Sequence, residues 1–154
     1  MRRARLGAIV LGLVGGTWLV IGAVASASAL DVEVMIVHAT DSGPTDPTLA
    51  GLKPRLRRLV GYRSFHVIQQ EQRECSWRNA EEFALPGGRS LHLLPKGMDD
   101  QTVMMQVRLL DGRKRLVDTH VRLQNRGTMA FGVGRDGRAG DGDGALVILL
   151  RAEE

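Results

Sequence analysis

The clearest pattern in the chain is a strict alternation of apolar and polar positions on either side of Asp111-Gly112. Before that pair, Val103, Met105, Val107 and Leu109 share one face, with Thr102, Gln106 and Arg108 among the alternates. After it, Val117, Thr119, Val121 and Leu123 alternate with Asp118, His120 and Arg122. A two-residue period belongs to a strand, and Asp-Gly tolerates the positive φ of a tight turn, so Gln101–Gln124 is predicted as a β-hairpin. A hairpin with one apolar face does not stand alone in water, so neighbouring segments must supply partner strands and a cover.

The same reading extends along the chain. Asp31–His38 has apolar residues on both faces and Ala145–Arg151 is a continuous apolar run, which predicts two centrally placed strands. Asp46-Pro47 opens a helix whose Leu49, Leu52, Leu56 and Leu59 share one face, with Gly61 placed to end it. Pro54 would remove one hydrogen bond inside that helix, so two short turns are the alternative. Further strands are predicted at Tyr62–Gln70, Glu71–Trp77, Glu81–Leu85, Arg89–Leu94 (stopped by Pro95) and, after a tight turn at Asn125–Gly127, Thr128–Val133. Eight or nine short strands with one early helix predict a mainly-β domain, either a β-sandwich or a curled antiparallel sheet.

The N-terminus has a different pattern. Met1–Arg5 is basic, Leu6–Val24 is apolar, and Ala27-Ser28-Ala29 fits the small-x-small rule for cleavage. Residues 1–29 are therefore read as a signal peptide and 30–154 as a single β-rich domain. Leu6–Ala29 is also uncharged for long enough to span a bilayer if it stays attached. In both cases the domain lies outside the cytoplasm, periplasmic or secreted, and membrane contact is confined to residues 6–29. Export makes the single cysteine informative, since Cys75 has no internal partner for a disulfide. It is a buried apolar residue, an intermolecular bridge, a nucleophile or a metal ligand.

The net charge of +4 changes meaning once the signal is set aside. Arg2, Arg3 and Arg5 account for most of it, and the remaining bases nearly balance the acids. A near-neutral domain offers no electrostatic case for nucleic acid. Two local clusters remain as contact candidates: Arg55, Arg57 and Arg58 on the helix, and Arg113, Lys114 and Arg115 at the hairpin tip.

Candidate chemistry is sparse. Gly132-x-Gly134-x-x-Gly137 matches a dinucleotide fingerprint, but no helix follows to meet a pyrophosphate. Asp136, Asp141 and Asp143 supply hard oxygen ligands for Ca2+ in a Gly-rich loop, without the spacing of a helix-loop-helix site. His38, His66, His92 and His120 fall in four different strands, and no pair has the close spacing that anchors most zinc sites. His66 and His92 share a polar phase with Ser64 and Ser90, which places them on an outer sheet face. No local signature joins a nucleophile to a base and an acid, and Glu81-Glu82 point to opposite faces of a strand.

The layout Asp46-Pro47-x-Leu49, Gly61-Tyr62-x-Ser64-Phe65, Leu85-Pro86-Gly87-Gly88, Leu91-x-Leu93 and Gly144-x-Leu146-x-Ile148 resembles that of a group of small exported proteins of high-GC Gram-negative bacteria. The likeness covers most of Val34–Ala152. Its motifs are turns and core positions, so it implies a fold and a compartment and no chemistry. The expectation is a non-catalytic interaction or accessory domain of the cell envelope with a protein partner. The alternatives are a small-ligand or calcium-binding module and a hydrolase.

Overall fold

The computed structural model describes residues 29–133 and 144–154. The strands are β1 Leu30–Thr40, β2 Ser64–Cys75, β3 Glu81–Leu85, β4 Arg89–Asp99, β5 Thr102–Asp111, β6 Lys114–Gln124, β7 Thr128–Val133 and β8 Ala145–Glu153, with one helix, α1 Lys53–Val60. They form two antiparallel four-stranded sheets, in the orders β2-β1-β8-β7 and β3-β4-β5-β6. The mainly-β sandwich expected from the alternation is what forms.

The main core lies between the sheets. Val32, Val34 and Ile36 of β1 and Ile148 and Leu150 of β8 meet Leu91, Leu93, Val103, Met105 and Val107 from the other sheet. A second core lies on the far side of the first sheet. There Val37, Ala39, Val147 and Leu149 pack against Leu49, Leu56 and Tyr62 of the segment that carries α1. The domain therefore has three layers, and β1 and β8 are buried on both faces, as their apolar runs require.

Pro54 decides the shape of the covering segment. Asp46 caps a short 3-10 turn, Pro47–Leu49, by accepting from the backbone N–H of Thr48 at 3.0 Å. The chain then restarts at α1, with Pro54 in the first turn, where its missing N–H leaves no bond unmade. Two short turns thus replace one long helix. Gly61, at φ 78°, ends α1 in the left-handed region, its N–H donating to the Arg57 carbonyl. The restart also rotates the apolar stripe: Leu49 and Leu56 are buried, but Leu59 is 46% exposed.

Other differences from the alternation trace to single inserted residues. β2 is one strand and not two, with a register shift where Ile36 faces Gln69 and Val37 faces Val67. Pro95 does not stop β4. Its carbonyl accepts from Arg78 N–H at 2.7 Å, on the side away from β5, so its missing N–H costs the β4–β5 ladder nothing. A shift between Pro95 and Gly97 then restores the pairing. A third shift falls beside Leu109, whose partner is Val117 while Leu110 faces Arg115. Ile68 and Leu116 are the residues left over at two of these bulges, and both side chains are exposed. The turn at Asn125–Gly127 joins β6 to β7 across the two sheets and is not a hairpin, since β7 pairs with β8.

Candidate functional site

The sandwich has two lateral sides, and they differ. On one, β2 stands beside β3. Phe83 of β3 points into the core, so the carbonyls of Glu82 and Ala84 face away from β4. Gln69 Nε2 donates to the Ala84 carbonyl at 2.6 Å and Arg73 Nη1 to the Glu82 carbonyl at 2.7 Å. The Arg73 guanidinium also lies 4.5 Å from the centre of the Phe83 ring and pairs with Glu71. Side chains of β2 therefore occupy the outward carbonyls of Glu82 and Ala84, and at these two groups the edge is sealed.

The other side carries β6 and β7. Asp100 and Gln101, at φ 45° and 61°, form the two-residue turn between β4 and β5, closed by Asp99 opposite Thr102. Thr102 therefore bonds towards β4, and alternation assigns Val103, Met105, Val107 and Leu109 to the β5–β6 ladder. Their partners Leu123, Val121, Thr119 and Val117 bond inward, leaving the N–H and C=O of Asp118, His120 and Arg122 on the free edge. Among the described residues no strand or side chain hydrogen-bonds to that edge. β7 is shorter, and the carbonyl of Thr128 on its outer edge accepts from Arg55 Nη1 at 3.0 Å.

The outer face of the second sheet is uncovered and charged. Register aligns Glu82, His92, Arg108 and Asp118 in one cross-strand row. Asp118 accepts from Gln106 Nε2 at 2.8 Å and pairs with Arg108 at 3.4 Å and Arg115 at 3.2 Å. The Gln106 hydrogen bond, followed by the two guanidinium groups, holds its carboxyl below the ordinary range. Ser90 Oγ lies 3.1 Å from His92 Nε2, and Glu82 Oε1 lies 3.7 Å from that same nitrogen. A catalytic triad uses the two ring nitrogens separately, one for the nucleophile and one for the acid. Here serine and carboxylate compete for one nitrogen on an open sheet face.

The remaining histidines separate. His120 Nε2 accepts from Lys96 Nζ at 3.0 Å on the same outer face. His66 is not on an outer face: it sits opposite His38 at the end of β1, on the side turned towards the other sheet. The His38 ring packs so closely on Gly144 that any side chain there would collide with it. No group of three or more metal-ligating side chains occurs among the described residues. Asp136, Asp141 and Asp143 lie outside the described residues. Cys75 is buried in the core, and burial, followed by the charge of Glu81, pushes its thiol up to about 11, so it is neutral and unreactive at physiological pH.

The two cationic clusters are not brought together. Arg55, Arg57 and Arg58 lie on α1, on the outermost layer beyond the first sheet. Arg113 sits in the β5–β6 turn of the other sheet, with Lys114 and Arg115 opening β6. A groove of about 510 Å³, which no local sequence pattern signals, lies between the end of α1 and β7. Leu59, Val60, Tyr62, Gly132 and Val133 line it, and the buried Tyr62 hydroxyl has no hydrogen-bond partner among the described residues. Leu59 was expected on the buried stripe, and it instead forms one lip.

Fold and surface together define a two-sheet β-sandwich with a helical cover, one sealed edge and one open edge. Comparison with protein-family models, curated proteins and solved structures yields no match for the chain.

Proposed function

We propose that this chain is an exported, non-catalytic contact domain of the cell envelope that binds a protein partner by adding a strand to β6. The observation that carries the reading is the contrast between the edges. β3 has its outward carbonyls occupied by Gln69 and Arg73, whereas the 11-residue β6 presents Asp118, His120 and Arg122 backbone groups with no partner among the described residues. Unpaired edges of this length are the usual docking site for an extended peptide, where main-chain bonds give affinity and alternate side chains give selectivity. Export to the periplasm or beyond follows from the reading of residues 1–29. The basic hairpin tip at Arg113, Lys114 and Arg115 would sit beside the first residues of an added strand.

Two proline variants test this. His120→Pro removes an N–H that the β5–β6 ladder does not use, so the fold is kept while strand addition is blocked. Thr119→Pro removes a ladder bond and destabilises the domain. In-cell crosslinking of the tagged full chain from envelope fractions should capture a partner that His120→Pro loses at unchanged protein level. A partner retained by His120→Pro would refute docking at β6, and recovery of the uncrosslinked chain alone would refute the contact reading.

A further inference from the structure

The covering layer has a charge pattern unlike the rest of the domain. From Pro47 to Gln70 the chain carries Lys53, Arg55, Arg57, Arg58 and Arg63 and no Asp or Glu. Over the rest of residues 30–154 the acids outnumber the bases. The near-neutral domain is therefore polarised, with its cations gathered on the outermost layer.

Geometry turns these cations outward. Leu56 fixes the buried pole of α1 against the first sheet. Two residues, about half a helical turn, on either side, Pro54 and Arg58 fall on the opposite pole, flanked by Arg57. Arg55 is anchored to Thr128, and among the described residues Lys53, Arg57 and Arg58 enter no ion pair. With Ala50 and Pro54 these three line a shallow concavity of about 600 Å³. Leu59 lies on the other flank of α1, beside Gly132 of β7, and takes no part in this concavity.

We propose that this face of α1 docks on an anionic phospholipid surface, with headgroup phosphates seated between Lys53, Arg57 and Arg58. Three cations around one concavity, in a covering segment without an acid and with no ion pair among the described residues, match a surface of closely spaced phosphates. A phospholipid layer is the anionic surface to which residues 6–29 would bring the domain, as an export signal or as an anchor, because Leu6–Ala29 runs directly into β1 in the sequence. The proposal does not depend on docking at β6, which lies in the other sheet.

The test uses the full chain, expressed with its own N-terminus and purified in the form the cell leaves it. An environment-sensitive dye on Ala50→Cys reports the helix face, and the buried Cys75 stays unlabelled. Vesicles are phosphatidylcholine alone, or phosphatidylcholine with about one-third phosphatidylglycerol. The expected result is a blue shift with the anionic vesicles only, reversed by high salt and at least about tenfold weaker in Arg57→Glu/Arg58→Glu. Arg57→Gln/Arg58→Gln serves if charge reversal impairs folding. Where residues 6–29 remain attached they anchor the chain to both vesicles, but only docking of α1 moves the dye. No shift, an equal shift with neutral vesicles, or equally tight binding of polyglutamate would each overturn the assignment to phospholipid.

Discussion

β8 and β5 are both central strands, yet they are buried by different rules. In β8, Leu146, Ile148 and Leu150 face the other sheet while Val147 and Leu149 face the α1 segment. In β5, Val103, Met105, Val107 and Leu109 face the core, and the alternates Met104, Gln106, Arg108 and Leu110 look out from an uncovered sheet. One sheet is thus the middle layer of the molecule and the other is a wall. A middle layer is fixed by packing on both sides, whereas a wall has one face left for contact. The cover exists because the first sheet would otherwise expose an apolar face, and the second sheet needs no cover because its outer face is polar.

Alanine substitutions at neighbouring positions would break or sharpen this contrast. Ile148→Ala should cost about 3 kcal/mol and Val147→Ala about 2 kcal/mol, since both side chains are enclosed. In β5 the two parities should separate: Met105→Ala about 3 kcal/mol, Met104→Ala under about 1 kcal/mol. Urea unfolding measures all four. A near-neutral Val147→Ala would mean that the α1 segment does not pack on the first sheet, and the three-layer description would fail.

The seam between β2 and β3 gives a smaller effect with a clearer consequence. Arg73→Ala removes the cap on the Glu82 carbonyl and the contact with the Phe83 ring. The guanidinium is partly exposed, so its ion pairs contribute little and the loss should be about 1 kcal/mol. The larger change should be in association. With a second edge uncovered, the variant should self-associate at concentrations where the native chain does not, as read by sedimentation velocity. An Arg73→Ala chain that stays as dispersed as the native one would show that its side chain does not guard the edge.

Strands buried on one or both faces announce themselves through alternation, which is why β1, β5, β6 and β8 were legible from residues alone. Even there the turn moved by one position: Asp111 closes it opposite Lys114, and Gly112, at φ 58°, begins the loop. What alternation cannot show is a single inserted residue. The bulge residues Ile68 and Leu116 read as ordinary strand positions, and the polar stretch after Ile68 read as a separate strand because its alternates face solvent. Pro95 read as a stop because its tolerance depends on which side of β4 its nitrogen faces. The contact surfaces were half legible. The run Lys53–Arg58 is visible as a basic cluster, but that Arg55 is tied to Thr128, while Arg57 and Arg58 enter no ion pair among the described residues, depends on a strand distant in sequence. The sealing of β3 by Gln69 and Arg73 is likewise a meeting of two sheets, invisible to any local pattern.

The smallest expected effect tests the charge network on the wall. The folded Asp118 carboxyl lies below its ordinary value because Gln106 donates to it and Arg108 and Arg115 stand beside it. A depressed folded pKa contributes stability above the unfolded value of about 3.9, and that contribution is lost as pH falls through the folded value. The native chain should therefore lose stability more steeply than Asp118→Asn between about pH 4 and the onset of acid unfolding. Above about pH 5 the two should differ by a nearly constant amount. Because the group is exposed, added salt should shrink the difference. Parallel pH profiles for the two proteins would mean that the row from Glu82 to Asp118 is a solvated surface without net coupling. The open edge of β6 would then be set by its backbone alone, with no help from the charges that flank it.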